Sequence, residues 1–257
     1  MLLAVDVGNT NIKFGFFDGQ ELITTIRLST DRKKTSDEYA VELYTLLRVF
    51  PVKDKYKNIT SSIISSVVPI VTGRIKDAIF HVFGVESLVV GPGIKTGLNI
   101  KIDDPSTLGS DLVVGCVAAN SMYKAPCIVI SMGTATVLSV IDQSGAMIGG
   151  PIAPGVAISL DAMTQNSALL TSVALEAPKS VIGKSTEKSI KAGVVLGSAC
   201  MIDGMIDKIE SELNAQCSIV ATGGLASTII PNCSHKIDFK DDLILQGLRI
   251  IYTKNAT

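Results

Sequence analysis

The chain has 257 residues, 47% hydrophobic, 18% charged and 5% aromatic, with no Trp. That profile excludes a disordered chain and suits two lobes of about 130 residues, each able to bury a core. Lys plus Arg number 23 against 24 Asp plus Glu, a net charge of −1, so no broad basic field draws nucleic acid or an anionic membrane, and a small-molecule partner is expected.

The chain opens Met-Leu-Leu-Ala-Val-Asp with no basic leader, and its longest uncharged stretch, 143–160, is broken by Gly145, Gly149, Gly150, Pro151, Pro154 and Gly155. Neither reads as a signal peptide or a membrane helix, and a cytoplasmic location is expected. Cys116, Cys127, Cys200, Cys217 and Cys233 are odd in number, widely spaced and form no C-x-x-C pair, so reduced, mostly buried thiols are expected.

In chain order, residues 2–5 predict a short strand, 6–10 a turn and 12–17 a returning strand that ends at Asp18-Gly19. A helix is predicted over 36–49, a strand over 59–65, a helix over 71–83, a strand over 87–90 and a helix over 111–122. A second hairpin follows, with a strand at 127–130, a turn at 131–136, a strand at 137–141 and a further turn at Ser144-Gly145. Helices are predicted over 157–169, 186–213 and 241–255, with a strand at 217–222. Residues 3–19 and 128–144 align without a gap at an offset of 125, an internal repeat. The duplication predicts two similar α/β lobes, 1–115 and 116–257, facing across a ligand-binding cleft.

The first hairpin carries Asp6-Val7-Gly8-Asn9-Thr10-Asn11. Gly8 lets backbone amides approach a phosphate, Asn9, Thr10 and Asn11 add hydrogen-bonding groups, Asp6 can hold Mg²⁺ directly or through water, and Lys13 can neutralise phosphate charge. Taken alone, the same residues also suit an ordinary hairpin turn. Gly133-Thr134-Ala135-Thr136 is the equivalent turn of the second hairpin, and Thr222-Gly223-Gly224 adds a late glycine pair where a side chain would block a base or ribose. His81 and His235 read as structural or exposed, and Met201 and Met205 as core or dimer-face residues.

The order of nine motifs resembles the type III pantothenate kinases, members of the acetate/sugar kinase, Hsp70 and actin superfamily. The carriers are Asp6-Val7-Gly8-Asn9-Thr10, Thr35-Ser36-Asp37-Glu38, Ser65-Ser66-Val67-Val68-Pro69, 91–98, Gly109-Ser110-Asp111, Gly133-Thr134-Ala135-Thr136, 149–155, Gly183-Lys184-Ser185-Thr186 and Thr222-Gly223-Gly224. The resemblance implies two ribonuclease H-like, actin-like lobes and transfer of phosphate from ATP to pantothenate, the first step of coenzyme A synthesis. It implies Asp111 as general base, Asp6 near Mg²⁺ and phosphate, Thr134 on the phosphates, and Gly109, Ser110 and Thr186 on the substrate. It also implies a homodimer, to which the apolar stripe over 192–209 would be suited.

Three positions depart from that pattern: Ser131 replaces an acid of a monovalent-cation site (K⁺ or NH₄⁺), Leu112 an arginine after the catalytic aspartate, and Ile102 a tyrosine that lines the substrate position. Loss of the carboxylate at 131 weakens cation binding, and leucine at 112 removes a fork-shaped anion clamp. These changes keep two alternatives open: a catalytically silent homologue that binds nucleotide or pantothenate as a regulatory or scaffolding protein, and a kinase of another small hydroxylated substrate.

Overall fold

The structure, a computed structural model, describes residues 1–50, 56–165 and 173–256. They form two compact units, one of Met1–Gly97, Ser106–Ala118 and Leu243–Thr257, the other of Leu98–Pro105 and Ala119–Asp242. The chain runs β1 (Leu2–Val7), β2 (Asn11–Asp18), β3 (Glu21–Ser29), α1 (Ser36–Leu47), β4 (Ser61–Ser66), α2 (Pro69–Phe83), β5 (Ser87–Val89), β6 (Asn99–Ile100) and α3 (Ser110–Met122). It continues as β7 (Cys127–Met132), β8 (Ala135–Ile141), β9 (Ala146–Gly149), β10 (Ile152–Pro154), α4 (Val156–Gln165), α5 (Thr186–Lys191), α6 (Gly197–Leu213), β11 (Ser218–Thr222), α7 (Ala226–Ile229), β12 (Asp238–Phe239) and α8 (Leu243–Asn255).

In the first unit the strand order is β3-β2-β1-β4-β5, with β1 antiparallel to β2 and parallel to β4. In the second the order β9-β8-β7-β11-β12 repeats it, again antiparallel on one side of β7 and parallel on the other, with β6 added beyond β9 and β10 paired to β8. Two units with one ribonuclease H-like topology make the chain an internally duplicated, actin-like α/β protein, as the sequence repeat predicts. The repeat is gapless only on its first strand: β1 and β7 lie 125 residues apart, whereas Val7 pairs with Ile12 and Met132 with Thr136. The second hairpin loop is therefore one residue tighter.

Alternation decides what each strand face meets. Leu3, Val5 and Val7 join Ile12, Phe14, Phe16 and Ile64 in a core under Tyr39 and Leu43 of α1 and Ile75 and Ala78 of α2. Leu2, Ala4 and Asp6 point to the opposite face. Helix α1 begins where Thr35 Oγ1 accepts the Glu38 amide and the Glu38 carboxylate accepts the Thr35 amide, a reciprocal cap. Helix α2 starts with Pro69 in its first turn and stops at Gly84, whose φ of 69° only glycine adopts freely.

The structure adds β3, β6, β9, β10, β12 and α7, which the sequence reading lacks, and differs from it in other places. Asp6 and Ser131 belong to strands β1 and β7, not to turns, because ladder pairing carries each strand to the residue before its glycine. Helix α8, assigned by sequence to the 116–257 lobe, belongs to the first unit. There Tyr252 Oη donates to Ser61 Oγ at 2.7 Å, and a Cβ on Gly15 would meet Leu245 Cδ1 at 2.7 Å. The helix predicted over 186–213 is α5 and α6 joined by a wider π-turn at Ala192–Leu196, which contains Gly193 and ends at Gly197. By length and composition alone Thr186–Leu213 passes the test for a membrane span, with a best-window mean hydropathy of 1.4. Its Val194, Val195, Ala199, Ile202 and Ile206 pack in the second unit's core with Ile128, Ile130 and Leu138. The part of the predicted helix 157–169 beyond residue 165 lies outside the described residues. The cysteines are more open than expected, with Cys116 and Cys127 buried, Cys217 and Cys233 half-buried and Cys200 exposed.

Candidate active site

In the first unit the site is built on the carboxyl ends of β1 and β4. Asp6, the penultimate residue of β1, pairs with Lys13 on β2 and with Ser65 on β4. Ser65 is the link to Asp111. Its hydroxyl lies 2.9 Å from Ser110 Oγ, which also accepts the Ser66 amide at 3.1 Å and donates to the Ser66 carbonyl at 3.0 Å. Those bonds fasten the first residue of α3 to the end of β4, so Asp111, the next residue, is held within electrostatic range of Asp6. Ser110, read from sequence as a substrate residue, thus spends its hydroxyl on the strand.

Asp111 folds back on its own helix, Oδ1 accepting the Leu112 amide at 2.9 Å. Gly109 makes room for that conformation, since a Cβ there would lie 2.5 Å from Asp111 Oδ1. Burial raises the Asp111 carboxyl above its ordinary range, while the amides of Leu112 and of Asp111 itself pull it back. Asp6 is raised further, to about 7, by burial first and by the Asp111 charge second, with Lys13 opposing. Two carboxylates within electrostatic range of each other and one lysine across from Asp6 leave negative charge that a cation would relieve. Among the described residues no group of three or more His, Cys, Asp or Glu is placed to hold a metal by itself. The pair nevertheless suits Mg²⁺, which takes one or two carboxylates and completes its shell with water and phosphate oxygens.

The loop between β1 and β2 is braced from β3. Gly8 N donates to Asn11 O at 3.0 Å, Thr30 Oγ1 donates to Gly8 O at 2.7 Å, and Thr30 N donates to Thr10 O at 2.9 Å. Asn9, Thr10 and Asn11 stay exposed at the tip. The sequence reading assigned no function to Thr30, and Ser65 figured there only as the end of a predicted strand and the first residue of a family motif. Alternation of Leu22, Thr24, Ile26 and Leu28 was the available signal for β3, the strand that brings Thr30 to the loop.

In the second unit three loops meet at the end of β7. Gly133 N donates to Ala135 O at 3.0 Å and Gly155 N to Thr134 O at 3.1 Å. A Cβ on Gly155 would sit 2.3 Å from Thr134 O, and one on Gly223, where φ is 110°, would sit 2.3 Å from Met132 O. Gly223 is therefore required by the neighbouring backbone, not by a base or ribose as first read, whereas Gly224 and Gly133 face open space. Ser131 pairs with Val137 and with Thr222. Thr186 is exposed in the first turn of α5, behind its N-cap Ser185. Ile102 sits against β9, 3.8 Å from a Cβ built on Gly149, and Leu112 is half-buried in the first turn of α3.

A family model described as type III pantothenate kinase matches residues 2–208 of this chain. A type III pantothenate kinase of Moorella thermoacetica is 40% identical over 258 residues, covering 100% of both chains. The chain belongs to the type III pantothenate kinase family. A second member, from Geotalea daltonii, is 38% identical over 255 residues, covering 99% of each. Among solved structures, a Baf family protein of Campylobacter jejuni superposes with a TM-score of 0.61 over 99% of this chain and 98% of that one; at 18% identity the match speaks for the fold.

Proposed function

We propose that this family member phosphorylates pantothenate with ATP, opening coenzyme A synthesis in the cytoplasm. The observation that carries the reading is the placement of Asp6 and Asp111 within electrostatic range of each other, α3 being fastened to the end of β4 by the Ser65–Ser110 link beside a glycine-containing loop. Phosphoryl transfer asks a protein for positioning, charge neutralisation and one acceptor for the alcohol proton. Asp111 accepts the proton of the pantothenate hydroxyl, its carboxylate held by the first turn of α3. Gly8, Asn9, Thr10 and Asn11 receive the phosphates of ATP with Lys13, and on the second unit Gly133, Thr134 and Gly224 are the residues offered to a nucleotide, Gly133 and Gly224 facing open space. Asp6 would hold Mg²⁺, directly or through water. When bound, the ion supplies charge neutralisation at the phosphate oxygens. Gly109 and Ser110 shape the pantothenate end, with Thr186, Ile102 and Leu112 contributing to substrate choice.

Ser131 occupies the second unit's counterpart of Asp6 and lacks its charge, so monovalent-cation dependence is expected to be weak. Homodimer formation is proposed with the family, and the outward side of the long helix, where Gly193, Gly197 and Gly204 have nothing within 4 Å, is the face suited to it. Light scattering on the purified protein tests that point.

Incubation with ATP, Mg²⁺ and pantothenate should yield a product heavier by one phosphoryl group on mass analysis. The uncharged residues at 102, 112 and 131 favour one competing reading, a binder without turnover. Calorimetric binding of ATP and pantothenate with no product would establish that alternative, and product only from another small alcohol would establish a retuned kinase.

A further inference from the structure

The segment between β3 and α1, residues 30–35, is fixed far more firmly than a surface connection needs to be. Tyr39, fully buried, receives the Asp31 amide at 2.9 Å and donates its hydroxyl to the Asp31 carbonyl at 2.8 Å. Asp31 Oδ1 accepts the Lys33 amide at 2.8 Å, and Arg74 Nη1, reaching from α2, donates to the carbonyls of Arg32 at 2.6 Å and Lys34 at 2.7 Å. The backbone on both sides of Arg32 is thereby locked, and its guanidinium is delivered onto the β1–β2 loop, where Nη2 donates to Asn9 Oδ1 at 3.2 Å.

Three other nearby cations have contacts of their own, while Lys33 is exposed and bonds Asp31 through its backbone amide. Lys34 Nζ pairs with Glu42 at 2.6 Å, Arg74 is held by the two carbonyls, and Lys13 lies across from Asp6. Arg32 bonds a neutral amide oxygen, which leaves its positive charge uncompensated by that contact. Engaging Oδ1 also orients Asn9, because the carboxamide then presents its two N–H donors away from the arginine, at an exposed loop tip. A guanidinium and an amide nitrogen side by side form a surface for a polyphosphate, which a guanidinium meets with paired charge-assisted hydrogen bonds.

We infer that Arg32 is a phosphate-binding residue of this enzyme, fixing the Asn9 carboxamide and placing a guanidinium on the polyphosphate of the nucleotide bound at the β1–β2 loop. The inference rests on the nucleotide reading of that loop. It is tested by calorimetry on the full-length protein with Mg²⁺ and a non-hydrolysable ATP analogue, and with inorganic tripolyphosphate as a second probe. Arg32→Ala should weaken both probes by about ten- to a hundredfold. Arg32→Lys should recover part of the loss, and Lys33→Ala should bind as wild type does. In turnover, Arg32→Ala should raise KM for ATP more than it lowers kcat. Wild-type binding matched within about twofold by Arg32→Ala, a shift no larger than a surface charge causes, overturns the inference alone. Wild-type protein that binds neither probe overturns the nucleotide reading along with it.

Discussion

The two hairpins share a fold and differ in charge. In the first, Asp6 pairs with Lys13 on one side and Ser65 on the other; in the second, the matching residue Ser131 pairs with Val137 and Thr222. An acid and a base have thus given way to a hydroxyl and an isopropyl group at the same place in the same topology. The first hairpin loop is braced by hydrogen bonds with Thr30, while around the second, glycines lie close to neighbouring carbonyls, Gly155 to Thr134 and Gly223 to Met132. Duplication therefore supplied two hairpins of one topology, and the facing acid and lysine lie on only one of them.

That contrast is broken most forcefully at Asp111. Asp111→Asn should slow pantothenate phosphorylation by about 10²–10⁴-fold, the usual worth of a positioned general base, with KM little changed. The comparison of Asp6→Asn with Ser131→Ala comes next. The first should cost about 10²–10³-fold in kcat through lost charge organisation, the second no more than about tenfold, as steady-state rates would show. Equal effects would mean that both hairpins carry charge chemistry.

Stability should sort differently from activity. Gly223→Ala combines an unfavourable φ with a 2.3 Å approach to Met132 O and should lower unfolding free energy by about 2–3 kcal/mol in denaturant melts, while Gly224→Ala, facing open space, should change it by less than about 1 kcal/mol. The smallest expected effect is the pH dependence contributed by Asp6 in ligand-free protein. Its carboxyl is raised from 3.8 to about 7, so the folded state holds the proton more tightly than the unfolded state does. Its stabilising contribution is complete below about pH 3.8 and declines as pH rises toward 7. Asp6→Asn should remove that slope and raise Tm by roughly a few degrees at pH 8, even as it lowers kcat.

Much of this was legible in the sequence because both hairpins are local. Strand, glycine turn and returning strand occupy contiguous residues, and the 125-residue repeat displays them twice. The same locality exposed Ser131 as the counterpart of Asp6. What escaped depended on contacts between distant segments. Nothing around Thr30 announces that its hydroxyl will brace Gly8, and Ser65 gains meaning only when β4 is laid parallel to β1 and Ser110 arrives from α3. Helix α8 was misassigned for a related reason: amphipathic periodicity shows that a helix has a buried face but not which sheet it covers. The glycine at 223 was read as space for a ligand when the constraint is a carbonyl oxygen of the adjacent strand, a distinction visible only in three dimensions.

The central claim, phosphoryl transfer run by one charged hairpin and a neutral partner, is tested most directly by following phosphopantothenate formation from ATP, Mg²⁺ and pantothenate. Wild type and Asp111→Asn should be compared in buffers containing Na⁺ alone and then K⁺. Product from wild type in both buffers at rates within about threefold, with the variant at least about a hundredfold slower, is the predicted result. Wild-type product no faster than the variant's, or appearing only with K⁺, would contradict it.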